Sequence, residues 1–256
     1  MEVHVLNGDA LAEKFTIEGE VVVCREALIE VPMQAASIEE FWKFRAAYLS
    51  ENLAAQMQFY FDNVKTEFEK LKSFQNATAF NLWFEHDLFC QVNMWFLLSY
   101  LKSIGSGISV CRVMPPSGGN QLWSGFGFME EGDLNKCFGQ RIKFTAKDLV
   151  LGACLWDAYQ QNDMKALKNL SQTVSPVFPL LQEICHAHVQ RFPDKGLGRP
   201  QNKLKHITSS GIQTSMKSSE NFGNRRSLWV RRPSGKKYAG HTLTNLKKKH
   251  SPLLGV

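Results

Sequence analysis

The chain lacks most of the short patterns that announce a function. Its six cysteines (Cys24, Cys90, Cys111, Cys137, Cys154 and Cys185) are scattered with no CxxC among them, and four sit in apolar runs. That is the pattern of buried free thiols in a cytosolic protein. No apolar run reaches the roughly 18 residues of a membrane span. The longest, Val92–Leu101, is interrupted by Asn93, Ser99 and Tyr100. The opening "MEVHVLNGDA" has no basic stretch followed by an apolar one, so no signal peptide is visible, and a cytoplasmic protein with no membrane association is expected. There is no GxxxxGK[ST] phosphate loop. "SGFGFMEEG" holds a lone GxG that neither follows a strand nor opens a helix, as a dinucleotide fingerprint must. No internal repeat is present.

Acid is scarce at one end. The net charge of +6 divides into 16 Lys+Arg against 23 Asp+Glu over residues 1–194, and 14 Lys+Arg against the single acid Glu220 over residues 195–256. The basic character therefore belongs to the C-terminal stretch, with its clusters Arg225–Arg226, Arg231–Arg232 and Lys247–Lys249. The rest is mildly acidic and has no general claim on nucleic acid. Nucleic acid is an expected partner only if the basic stretch is genuine.

At 44% hydrophobic residues, the 256-residue chain can bury a sizeable core. "VHVLNG" (3–8) reads as a strand ending at Asn-Gly, with Asp9 capping a short helix. "GEVVVCRE" (19–26) reads as a strand buried on both faces. "SIEE" (37–40) is a capping box opening a helix to about Leu49. A second helix follows over roughly Leu53–Phe74, with Met57, Tyr60, Phe61, Val64, Phe68 and Leu71 at helical spacing. "TAFNLWF" (78–84) is a third strand, Asp87 caps a helix over Leu88–Leu101, and "GISVCRV" (107–113) is a fourth strand. Beyond the Gly-rich loop Pro115–Gly127, helices are expected over 145–161, 164–173 and 176–192. The order predicts an α/β fold: a mostly parallel, Rossmann-like open sheet with flanking helices over 1–135. A small helical domain over 140–206 follows, then a disordered basic tail over 207–256.

In such sheets ligands bind outside the carboxyl ends of the strands. The residues delivered there are Asn7, Gly8 and Asp9 after the first strand, Arg25 and Glu26 after the second, and Glu85, His86 and Asp87 after the third. Together they offer amide donors at helix N-termini, an arginine for an anion and a His–carboxylate set able to move a proton. Glu85, His86 and Asp87 are the candidate catalytic groups. Asn7, Gly8, Asp9, Arg25 and Glu26 are candidates for holding a small polar or anionic ligand. Plainer readings stand beside these: a turn and cap for Asn7-Gly8-Asp9, a structural ion pair for Arg25–Glu26, an N-cap for Asp87. "CHAH" (185–188) can bring at most two ligand atoms to one helix face, so no metal ligand is named. No cofactor is indicated. A regulatory or nucleic-acid-binding module, and an interaction domain without chemistry, remain alternatives to an enzyme or small-ligand binder.

The strings "HVLNGDALAEKF", "GEVVVCREALIE", "FWKFRAAYL" and "LWFEHDLFCQVNMWFLL" resemble the bacterial family called domain of unknown function 1835. "FTAKDLVLGACLWDAYQQND" and "HVQRFPDKGLGRPQNKL" resemble its usual C-terminal companion, domain of unknown function 3658. The likeness covers roughly residues 3–206. It implies an architecture rather than an activity, with emphasis on Asn7, Gly8, Asp9, Arg25, Glu26, Glu85, Asp87 and Gln91, the last joining the ligand-binding candidates. It also implies that the helical part is truncated. Family members end with something like "YGFGDLQV", which this chain lacks.

Read one base later, with permitted codons, Arg226–Leu243 becomes "GLYGFGDLQVKNMLDTL" and runs into a stop at Thr244. Thr214–Ser219 read two bases later permits "FNEVF", another string of the family's kind. Residues from about 213 to 256 are therefore expected to be out-of-frame translation. The coding DNA tests this directly. Its codons over Arg226–Leu243 should spell the shifted ending, and codons that forbid that reading would end the idea.

Overall fold

In the computed structural model, the described residues are 1–29, 34–53, 56–105, 107–116, 125–192 and 195–209. The expected loop at Pro115–Gly127 and the C-terminal basic stretch lie largely or wholly outside them. Four strands, β1 (Glu2–Asn7), β2 (Glu20–Cys24), β3 (Ala79–Trp83) and β4 (Ser109–Val113), run parallel in the order β2-β1-β3-β4. A two-residue strand not expected from the sequence, β5 (Ile142–Lys143), pairs antiparallel beyond β4. The chain starts in the middle of the sheet, steps out to β2, then crosses back over β1 to β3. The order reverses between β1 and β3, and in doubly wound sheets the ligand crevice opens at that point.

The helices follow from where the sheet needs covering. α1 (Asp9–Ala12) lies between β1 and β2, and α2 (Ile38–Leu53) follows β2. The helix expected over Leu53–Phe74 is broken into α3 (Met57–Tyr60), a π-turn (Phe61–Lys65) and α4 (Thr66–Lys70). α5 (Leu88–Ser103) is the central helix, and α6 (Glu131–Gly139) was not expected. Gly132 and Gly139 and a run of charges conceal its apolar face, Leu134 and Cys137. α7 (Ala146–Gln160), α8 (Met164–Leu170), α9 (Leu181–Val189) and α10 (Arg199–Ser209) complete the set. α10 occupies a stretch whose sequence pattern marks no element. Among the described residues no helix is long and apolar enough to cross a membrane.

Alternation along the strands decides which helix covers which face. Val5, Leu82 and Val110 face α2 to α5, and Trp95 from α5 joins the same core as Leu151, Leu155, Trp156 and Tyr159 from α7. The C-terminal helices thus complete the sheet's cover, and Met1–His206 forms one compact unit. Leu6, Trp83 and Val113 face the other way, under Leu11 of α1 and Leu134 of α6. His4 is buried on that face. It accepts from Trp83 Nε1–H on Nδ1 at 3.1 Å, which leaves Nε2–H to donate to the Glu18 carbonyl at 3.1 Å. Burial lowers its pKa and keeps the ring neutral.

Two caps anticipated from the sequence form. Glu40 N–H donates to Ser37 Oγ at 3.2 Å, while the Glu40 carboxylate accepts from Ala36 N–H at 2.7 Å. Thr145 and Asp148 close a full capping box, and Asp148 also accepts from Ser175 Oγ at 2.6 Å. The outer edge of β2 is stopped by a side chain: Val23 N–H donates to Glu67 Oε2 at 2.9 Å.

Below the C-terminal end of β2, Glu26 and Arg45 form an ion pair with both side chains 0% exposed. Arg45 donates through Nε and Nη2, with Nη2 at 2.7 Å, and the Tyr60 hydroxyl donates to the same carboxylate. Burial opposes the charge on Arg45, but Glu26 outweighs it and raises the guanidinium's pKa. Burial raises the Tyr60 pKa well above its ordinary value, with Glu26 adding to the effect. A buried pair of this kind is costly to break and cheap to replace whole. Arg45→Met should therefore lower unfolding stability by about 3–5 kcal/mol in urea denaturation, with Glu26→Gln added in the same chain recovering most of the loss. A single variant as stable as the parent would show that the pair does not carry this weight in the fold.

Candidate functional site

The C-terminal ends of β1 and β3 and the first turns of α5 meet in one hydrogen-bonded chain. Asn93, inside α5 and fully buried, donates through Nδ2 to Asn7 Oδ1 at 3.0 Å and to the Glu26 carbonyl at 2.6 Å. Its own Oδ1 accepts from Leu28 N–H at 3.2 Å. Because Asn7 Oδ1 is taken, its Nδ2 turns to the sulfur of Cys90, at 3.0 Å. The Cys90 thiol then donates to Glu85 Oε2 at 3.5 Å. Glu85 Oε1 accepts from Phe126 N–H at 2.9 Å, and Gln91 Nε2 holds the Glu85 carbonyl at 2.6 Å. Each donor in this chain points the same way, and the chain ends on the Glu85 carboxylate.

Local sequence explains the placement. Asp87 is extended and caps α5, accepting from Cys90 N–H at 3.3 Å. Cys90 is therefore three residues into the helix and faces the sheet edge, with Gln91 beside it and Asn93 one turn further in. Gly125 leaves room for the Glu85 carboxylate, since a Cβ there would come within 1.7 Å of Oε1. Glu85, Asp87 and Cys90 each offer an atom within 4.8 Å of the others, close enough to share a proton or a metal ion.

The other expected residues divide into separate groups. Gly8 has φ 96°, ψ 168°, a conformation that suits glycine alone, and it is Gly8 rather than Asp9 that caps α1. Asp9 instead accepts from Arg25 Nε at 2.8 Å. Arg25 also donates to the Asn63 carbonyl, in the π-turn, at 3.0 Å and has Glu67 at 3.8 Å. The expected Arg25–Glu26 ion pair does not form: Arg25 turns to Asp9 and Glu67, and Glu26 turns inward to Arg45. Glu26 is sealed by Arg45, Tyr60 and its own hydrogen bond with Ala27 N–H at 3.0 Å.

His86 is only 2% exposed, and among the described residues neither ring nitrogen has a partner in good hydrogen-bond geometry. Its pKa falls to about 4, chiefly through burial and then through the Arg112 charge, although the nearby Pro115 carbonyl and Asp87 favour the charged ring. His188 of the "CHAH" stretch is also buried. It packs on Tyr159 with ring centres 4.6 Å apart, and burial lowers its pKa to about 4. Among the described residues that stretch forms no group of three ligand atoms.

Cys90, Asn93, Arg112, Arg45 and Tyr60 are not among the residues that the sequence nominates for the site. An asparagine inside "FCQVNMWFLL" and an arginine inside "SVCRV" are the visible signals: each is a polar group placed where every neighbour is apolar. Two surface hollows lie elsewhere. The larger of the two, about 520 Å³, is lined among the described residues by Gln34, Ala35, Ala36, Gln160 and Gln161, none of them titratable.

No family model, curated protein or solved structure matches the chain.

The two low-pKa histidines set an acid limb. Both are neutral in the fold, with pKa values of about 4. In the unfolded chain their value is near 6.5. Between those two values the unfolded chain binds protons that the folded one refuses. Their contribution to stability is thus complete above pH 6.5 and is lost as the pH falls towards 4. Urea midpoints measured across that window should drop, and the combined variant His86→Gln/His188→Phe should flatten the drop. An unchanged limb in that variant would assign it to other groups.

Proposed function

We propose that the chain binds a small polar ligand carrying an anionic group at the C-terminal edge of the sheet, between β1 and β3, with Glu85 as the group that exchanges a proton with it. The observation that carries this reading is the one-directional hydrogen-bond chain from Asn93 through Asn7 and Cys90 to Glu85. Such a chain polarises each member towards the next and fixes the terminal carboxylate in one orientation at the edge. Its position supports the reading too, because it lies where the strand order reverses. Glu85 is better placed for proton transfer than His86, whose ring is buried and neutral. Asp87 and Gln91 position the turn that holds Glu85. The tie of Arg25 to Asp9 and Glu67 moves the anion-holding role away from Arg25. Six free cysteines suit the reducing cytoplasm. Kinship with the domain of unknown function 1835 family is part of the same proposal, carried by the strings quoted above.

A thermal-shift screen over nucleotides, sugar phosphates and small dicarboxylates tests it. A true ligand at a hundredfold excess over its Kd adds about 2.7 kcal/mol of stability. That stabilisation should disappear in Asn7→Ala and weaken in Glu85→Gln. A panel with no stabilising compound, or a ligand indifferent to both variants, would defeat the reading.

A further inference from the structure

The molecule buries two arginines completely and treats them differently. Arg45 spends the Nε and Nη2 side of its guanidinium on the Glu26 carboxylate. Arg112, on β4 and 1% exposed, donates Nη1 to the Val177 carbonyl and, among the described residues, finds no acceptor for Nε and Nη2. These two N–H groups are the planar fork that matches a carboxylate or phosphate in bidentate fashion. Among the described residues no ion pair reaches Arg112, so the fork has no counter-charge of its own. His86, also sealed from solvent, has the Pro115 carbonyl near its ring and lies within reach of the Arg112 charge, which acts on that ring.

A buried guanidinium with two donors unused and no counter-charge among the described residues is costly to keep, and an incoming anion would relieve that cost. Burial pulls the Arg112 pKa down to about 9. Arg112 stands one residue before the C-terminal end of β4, at the same edge of the sheet as Glu85 and Cys90. We propose that the Nε/Nη2 fork of Arg112, with His86 beside it, binds the oxyanion group of the ligand held at that edge. This deepens, and rests on, the reading of the edge as a ligand site. Because the fork is enclosed, the group that reaches it is small: a free inorganic anion or the carboxylate or phosphoryl tip of a larger molecule.

The test follows the Arg112 Nε–H signal by NMR in the full chain while inorganic phosphate and, separately, acetate are added at fixed ionic strength. Loss of the signal in Arg112→Lys assigns it. A saturable shift with phosphate points to a phosphoryl group, one with acetate to a carboxylate, and either is accompanied by a rise in Tm that Arg112→Met abolishes. In anion-free buffer Arg112→Met should be at least as stable as the parent, since it removes an uncompensated buried charge. A signal that neither anion moves overturns the proposal, as does a large loss of stability in Arg112→Met in anion-free buffer, which would make Arg112 an anchor for Val177. A panel ligand whose binding survives Arg112→Met also overturns it while leaving the sheet-edge reading intact. If neither anions nor panel compounds have any effect, both fail together.

Discussion

Where parallel strands end, their backbone groups run out of ladder partners, and in a buried edge each such group needs another. Asn93 meets that need. One amide takes the Glu26 carbonyl and the Leu28 N–H beyond β2, and reaches Asn7 at the end of β1. Without it, a helix as apolar as α5 would seal these groups unpaired. With it, the ends of two strands are fixed relative to the helix that begins after the third. The orientation of the Asn7 amide, the hydrogen bond on the Cys90 sulfur and the direction of the chain into Glu85 all follow from that single placement.

The buried Glu26–Arg45–Tyr60 group does related work further down. It fixes the exit of β2 against α2 and α3, and so sets where Arg25 emerges on the opposite side of the backbone. Arg25 then bridges α1, through Asp9, to the π-turn, through the Asn63 carbonyl. A π-turn misaligns the regular helical ladder, and here one of its carbonyls receives an arginine. Apolar packing alone would tolerate small slips between these elements, whereas directional bonds between buried groups do not.

The sheet was legible because strand alternation, turn residues and Asp87 as an N-cap are local signals. Four of the five strands and the central helix follow from them. β5 was invisible because two residues carry no alternation. The π-turn was invisible because Met57, Tyr60, Phe61, Val64, Phe68 and Leu71 also satisfy a regular helix. At the site, Asn7, Glu85 and Asp87 could be placed from topology, because the ends of parallel strands share one edge, whereas Gln91 came only from the family resemblance. Their partners could not, since Asn93 and Asn7 stand 86 residues apart and Tyr60 and Glu26 stand 34 apart. Arg25 and Glu26 suggested a pair because they are adjacent, yet successive residues of an extended segment point to opposite sides. That geometry sends one outward to Asp9 and the other inward to Arg45.

The margins of the sheet carry a consequence of their own. An exposed strand edge is a template on which a second chain can polymerise. Here one margin is a two-residue strand bearing Lys143, too short to seed a ladder, and the other has its Val23 N–H occupied by Glu67. A protein with so apolar an interior is most exposed to aggregation while it folds, and these two small devices close the routes by which its sheet could be lengthened by a neighbour.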